Sequence, residues 1–531
     1  MRTAKWARVL GIVGAAVCAG AALAQSNPSY VSFSAVNPPD PGRTPLFSGA
    51  DVIVGVVPDI WRSTGSSTFQ GEYVRGYAIG TTSCNQGDVP LWWYTGSAPD
   101  PTRNRHPVIG MNLFRYVQVN GAGRFEQVAM SWLKHGFTAL QQNACGFGCS
   151  ATASTTLGVG CSDPYSASLN ASQSRLGPRY QVQPLIGEFT YPVTHIPAAP
   201  AEYGRRILVA SSDIRTDLNP GAYFWGEGQY VTQDDSAAGN GLNNSSFRRM
   251  TASGTTDATA NLALTSSTRL RRYGIEAWRA ESGAGNSVNN LVNIVYINLD
   301  RAVTPPPPPA LSKKVERFVL GYQVTNLGGG MWDYHYALQN INAETAASSF
   351  SVPVDECADV PGGSIWYSQP PTHSGEPQDA SPAWGNTRSP TSLRWGNTDG
   401  LWNPIWTAPE GTALTDPTTW NVNRGADTRN ALRWGTMYSF GFRSNRPPVA
   451  GNVAMGLYKV TSPLTIYVPA MVPSGNPCRA DLNCDGVVDF NDLLVFLNLY
   501  NALDPRADFN GDGVVDFNDF LEYLNIYNTP C

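Results

Sequence analysis

Two segments near the C-terminus, 27 residues apart, carry oxygen-bearing side chains at alternate positions. Asp481, Asn483, Asp485, Asp489 and Asp492 in the first recur as Asp508, Asn510, Asp512, Asp516 and Asp519 in the second. Within each twelve-residue segment these stand at positions 1, 3, 5, 9 and 12, and the main-chain carbonyl of Val487 or Val514 falls at position 7. Calcium is a hard cation that takes six to eight oxygens, and this is the spacing at which a twelve-residue loop supplies them. Gly486 and Gly513 occupy position 6, where the sharp turn needs a positive φ. The eight loop carboxylates repel one another without a cation, and two Ca²⁺ ions cancel half of that charge. The bland alternative is a solvated acidic tail of Asx turns. Two complete loops with both glycines in register favour a metal.

The elements that position these loops follow from their flanks. Pro473, Gly475 and Pro477 precede the first loop and Pro505 the second, so no helix is expected to enter either one. Exit helices are expected over 491–501 and 518–528, which are uninterrupted and rich in leucine and aromatic residues. Each carries two apolar stripes. Leu494 and Leu497 match Leu521 and Leu524, while Leu493, Phe496 and Tyr500 match Phe520, Tyr523 and Tyr527. A helix with two apolar stripes has more to bury than one neighbour takes, so one stripe is expected between the helices and the other against a partner or the rest of the chain.

A duplicated loop and exit helix, with Asp at position 12, resembles the dockerin domains that tether extracellular proteins to a partner. The wording Asp-Leu-Asn-x-Asp-Gly-Val-Val-Asp-Phe-Asn-Asp is also similar to tails that end many secreted planctomycete-type bacterial proteins. The resemblance covers residues 478–531 and implies two bound Ca²⁺, a small all-α module, and attachment to a cohesin-like protein or cell-surface scaffold. The chain departs from dockerins at loop positions 10 and 11, where Phe490-Asn491 and Phe517-Asn518 replace the usual Ser-Thr-like pair.

Charge and targeting frame the rest. Arg2, Lys5 and Arg8 followed by an apolar run from Val9 to Leu23 and by Ala22-Leu23-Ala24 read as a secretory signal over 1–24, cleaved near Ala24. No other stretch is apolar enough for a membrane span, so the mature chain is expected to be secreted without one. The net charge of −5 is unevenly spread: 478–531 carries −8, the signal +3, and 25–477 is neutral. A neutral body has no electrostatic footprint for nucleic acid.

An oxidising destination makes disulfides the plain reading of the cysteines. Cys478 and Cys531 bracket the tail, Cys484 sits at loop position 4, and the body holds Cys84, Cys145, Cys149, Cys161 and Cys357. His135 with Cys145, Cys149 and Cys161 is the one set that would suit zinc, and hence a metal-dependent oxidase or hydrolase.

The body is rich in glycine, proline and aromatic residues and poor in charge, which points to mainly β, sandwich-like domains. A polyproline spacer at 304–310 is expected to separate a β-rich domain at 25–303 from a sandwich at 311–470, with a linker at 471–477. The runs 315–326 and 332–342 around Leu327-Gly-Gly-Gly330 predict a hairpin, with Trp332, Tyr334, Tyr336 and Leu338 facing a core and His335 facing solvent. Further strands are expected at 52–57, 114–119, 180–183, 432–442 and 453–460. Met130, Leu133, Phe137 and Leu140 have helical spacing, as does part of 266–279. Two clusters, 158–165 and 225–235, set acidic side chains beside aromatics, as sugar-binding or catalytic sites do. The chain thus reads as a secreted calcium-binding protein whose tail attaches a binding or structural body. The competing reading is a polysaccharide-degrading enzyme of glycoside hydrolase type carrying a dockerin.

Overall fold

The protein is described by a computed structural model that covers residues 26–35, 48–95, 105–172, 176–189, 191, 203–281, 292–302, 313–371, 383–396, 430–458 and 464–529. The signal segment, the polyproline run and Cys531 lie outside these residues. The chain forms two compact units, Asn27–Gly475 and a second that contains Asn476–Cys531.

Strand-forming sequence dominates the larger unit, whose described residues are mainly β apart from short helical turns. At its centre is a six-stranded antiparallel sheet in the order Val31–Ser34, Asn293–Ala302, Lys313–Gly328, Met331–Asn340, Thr436–Ser444 and Trp366–Ser368. The expected hairpin is there: Lys313–Gly328 pairs with Met331–Asn340 around Gly328, Gly329 and Gly330, all at positive φ. Tyr334, Tyr336 and Leu338 face one way into a core with Phe350, Trp395 and Phe440, shared with a five-stranded sheet containing Ala347–Pro353 and Pro448–Leu457.

The opposite face is also covered. A seven-stranded sheet, containing Val108–Val119, Ala122–Met130, Tyr223–Val231 and Ser245–Ser253, packs there through Phe114, Phe125 and Trp225 against Val319, Ala337 and Met437. The other face of that sheet, with Met111, Leu113 and Phe224, closes on Val52, Val54, Tyr77 and Ile79. Successive sheets stacked face to face leave no solvent side on the middle ones.

Three expectations are corrected by this stacking. The boundary at 304–310 does not divide two folded units, because Asn293–Ala302 and Lys313–Gly328 pair residue for residue across it. His335 is buried rather than solvent-facing, since its side of the strand meets another sheet. The stretch from Met130 to Leu140 contains a strand, Leu133–His135, instead of a helix. Its apolar spacing came from a segment buried on both faces, where period is no guide. The helical spacing in part of 266–279 is matched by the short helix Glu276–Glu281.

The smaller unit contains two helices, Phe490–Asn501 and Phe517–Tyr527. No helix enters either loop; a single 3₁₀ turn, Pro505–Ala507, precedes the second. Among the described residues, no helix is long and apolar enough to cross a membrane.

Candidate functional site

Each tail helix begins where its loop ends. Asp489 and Asp516, at loop position 9, are also the helix N-caps: their side chains accept from the backbone N–H groups of Asn491 and Asn518 at 2.7 Å. Asp492 and Asp519, at position 12, reach back to the N-cap N–H groups at 2.9 and 2.8 Å, completing a capping box at each helix. The same residues thus end the loop and start the helix.

The other carboxylate oxygen of Asp492 turns into its loop, accepting from Leu482 N–H at 2.8 Å and Asn483 N–H at 2.9 Å. Asp519 takes Asn510 N–H at 3.0 Å in the same way. Both side chains are buried. Burial pushes the Asp519 carboxyl up, but N–H donors from Asn510, Asp516 and Phe509 outweigh it and hold the group below the usual carboxylate range.

The remaining positions repeat from loop to loop. Asp481 accepts from the N–H groups of Asp485 and Gly486, and Asp508 from those of Gly511 and Gly513. Asn483 and Asn510 accept from the N–H two residues on, as do Asp485 and Asp512. Gly486 and Gly513 have φ of 85° and 89°. A side chain there would be strained, so glycine at position 6 is a backbone requirement.

Among the described residues no three His, Cys, Asp or Glu side chains gather into a metal-sized cluster. The chemistry of the loop donors nonetheless fits calcium. They are oxygens only, carboxylate or amide, and a carboxylate oxygen that accepts one N–H keeps a second lone pair. Asp481, Asn483, Asp485, the Val487 carbonyl, Asp489 and Asp492 would hold one ion. Asp508, Asn510, Asp512, the Val514 carbonyl, Asp516 and Asp519 would hold the other.

Between the helices lies the aromatic stripe. Phe496 and Tyr523 stack at 4.1 Å between ring centroids, with Phe509 edge-on to both. The leucine stripe is half open: Leu494 is 44% and Leu521 46% exposed, while Phe490 and Phe517 at loop position 10 are 63% and 62% exposed. Each repeat therefore presents the same exposed Phe and Leu.

The zinc reading of the body is overturned by sulfur chemistry. Cys84 is bonded to Cys145 and Cys149 to Cys161, so none of the three cysteines offers a thiolate. His135 is buried beside His106, with 2.9 Å between ring nitrogens and the Phe189 and Tyr191 rings around it. Cys357, Cys478 and Cys484 are disulfide-bonded as well.

The acidic clusters at 158–165 and 225–235 are interior. Asp163, Glu227 and Asp235 are all buried. Glu227 is committed to Asn112, Gln339 and the N–H of Gly274. Compared with known proteins, the chain matches no family model and no curated sequence.

Proposed function

We propose that residues 478–531 are a calcium-ordered, dockerin-like attachment module on an exported protein, and that the β body is the binding or structural unit it carries. The observation that supports this most is the repetition, loop for loop, of an all-oxygen donor set tied into the first turn of an exit helix. Such a coupling makes ion binding and helix order one event. The duplicated exposed Phe490 and Leu494, and Phe517 and Leu521, suit contact with a protein such as a cohesin-like domain or surface scaffold. Export is supported by the signal-like N-terminus and by disulfides in the body and tail. A glycoside hydrolase needs two carboxylates open to substrate; Asp163, Glu227 and Asp235 are buried and Asp234 is half-buried against the Trp92 N–H, so no observation favours catalysis at them.

The test is calorimetry and equilibrium dialysis on the full chain. Calcium at a hundred times its dissociation constant adds about 2.7 kcal/mol per site to whatever it orders. A tail transition that moves up with calcium and down with chelator is expected, together with two equivalents of calcium lost when Asp481, Asp485, Asp508 and Asp512 are all changed to Ala. A tail transition indifferent to calcium, or no change in stoichiometry in that variant, would sink the reading.

A further inference from the structure

A second set of oxygens lies in the body, assembled from segments far apart in sequence. Asp51 immediately precedes the strand Val52–Val56, and Asp235 lies in the short helix Gln233–Ala238. Both are fully buried, at 0% exposure. The N–H of Val52 donates to Asp235 at 3.2 Å, which sets the two carboxylates beside one another. The chain after the helix folds back over them. Asn240 is pinned by its amide to the carbonyls of Ser48 and Ala50 at 3.1 and 2.8 Å. Asn243 then donates to Asp51 Oδ2 at 3.2 Å, and Asn244 to Asp235 Oδ2 at 2.6 Å.

Two facts are out of balance here. First, adjacent buried carboxylates repel, and among the described residues neither has an ion-pair partner. Burial pushes Asp51 up to about 7, and burial followed by the charge of Asp51 pushes Asp235 well above the carboxylate range. Second, three buried oxygens of these residues, Asp51 Oδ1, Asn243 Oδ1 and Asn244 Oδ1, accept no hydrogen bond from the protein. Asn244 is only 2% exposed, so its amide oxygen is withdrawn from water while its nitrogen is held by Asp235. A buried acceptor without a donor is costly and calls for an explanation.

A proton shared between Asp51 and Asp235 answers the first fact alone. It relieves the repulsion but gives nothing to the two asparagine oxygens. A cation answers both once the two amides turn over, because it neutralises the carboxylates and takes the amide oxygens as ligands in place of the N–H bonds to Asp51 and Asp235. With donors that are oxygen only and a formal charge of −2, the chemistry is that of a hard divalent ion, calcium above all.

We propose that Asp51, Asp235, Asn243 and Asn244 form a buried calcium site in the body, independent of the two tail loops. It ties the segment 239–244 to the start of the Val52–Val56 strand, and so acts on the stability of the larger unit.

The experiment uses the full chain with both tail loops disabled by D481A, D485A, D508A and D512A, which leaves the body untouched. Radioactive calcium in equilibrium dialysis at 1 mM should give one equivalent per chain, and chelator should lower the melting temperature of the body. Adding D51N and D235N, which conserve shape, should remove that equivalent and make the body indifferent to chelator. Should the doubly amidated protein fail to fold, the stoichiometry and chelator response of the loop-disabled chain decide alone. Zero equivalents there, with a body transition unmoved by calcium or chelator, would overturn the proposal. The outcome is separable from the tail reading, which concerns only the calcium lost when the loops are disabled.

Discussion

His335 carries a consequence of the stacked sheets at the scale of one side chain. Its Nδ1–H donates to the Gly123 carbonyl at 2.7 Å, and its Nε2 accepts from the Phe125 N–H at 3.4 Å. The Trp278 and Trp366 rings lie 4.4 and 5.0 Å from it, centroid to centroid. Burial lowers its pKa to about 4, because the imidazolium would lose its hydration between two sheets. The unfolded chain takes up this proton near pH 6.5 and the folded one only near pH 4, so stability is lost as pH falls through that window. The shift corresponds to about 3 kcal/mol. Buried carboxyls with raised pKa, Asp51 and Asp163 among them, slope the other way, so the readout is a difference: between pH 6.5 and 4 the body of the parent chain should lose more melting temperature, or gain less, than that of His335→Gln. Glycine at loop position 6 makes a second residue-scale prediction. Gly486→Ala or Gly513→Ala forces a side chain into the left-handed region and should destabilise the tail by about 1 kcal/mol, read as a lower tail melting temperature in calcium.

The tail helices separate two kinds of aromatic residue that look alike in the sequence. Phe496 and Tyr523 hold the helices together, so Phe496→Ala should cost about 3–5 kcal/mol. In so small a unit that removes the tail transition while the body transition stays. Phe490 and Phe517 are exposed, so Phe490→Ser with Phe517→Ser should change tail stability by no more than about 0.5 kcal/mol and leave calcium uptake intact. Differential calorimetry on the two variants distinguishes them. The helices were legible to within a residue, expected from 491 and 518 and starting at Phe490 and Phe517; the capping boxes that fix their starts, Asp489 with Asp492 and Asp516 with Asp519, are a local feature the sequence reading did not use. The assignment of stripes to core and surface was not legible, because it depends on where the second helix lies.

Across the whole larger unit, the central sheet takes strands from both sides of the polyproline run. Residues 25–303 and 311–470 expressed separately should therefore each fail to give a cooperative melt, whereas the intact body gives one. The sequence determined what is local. The spacing of the loop oxygens and the position-6 glycines are contained in a dozen consecutive residues, and the hairpin in fewer than thirty around its glycine turn, where covalent geometry decides. The alternation of Tyr334, Tyr336 and Leu338 was equally plain. Only tertiary structure decided what becomes of the residues between them. A polar side chain on an alternating strand reads as solvent-facing, yet Gln339 meets Glu227 and His335 meets Gly123 across a sheet interface. The neighbour that satisfies each is over a hundred residues away. The Asp51 and Asp235 pair is hidden for the same reason: burial and proximity are properties of the packed chain, and no spacing along it records them.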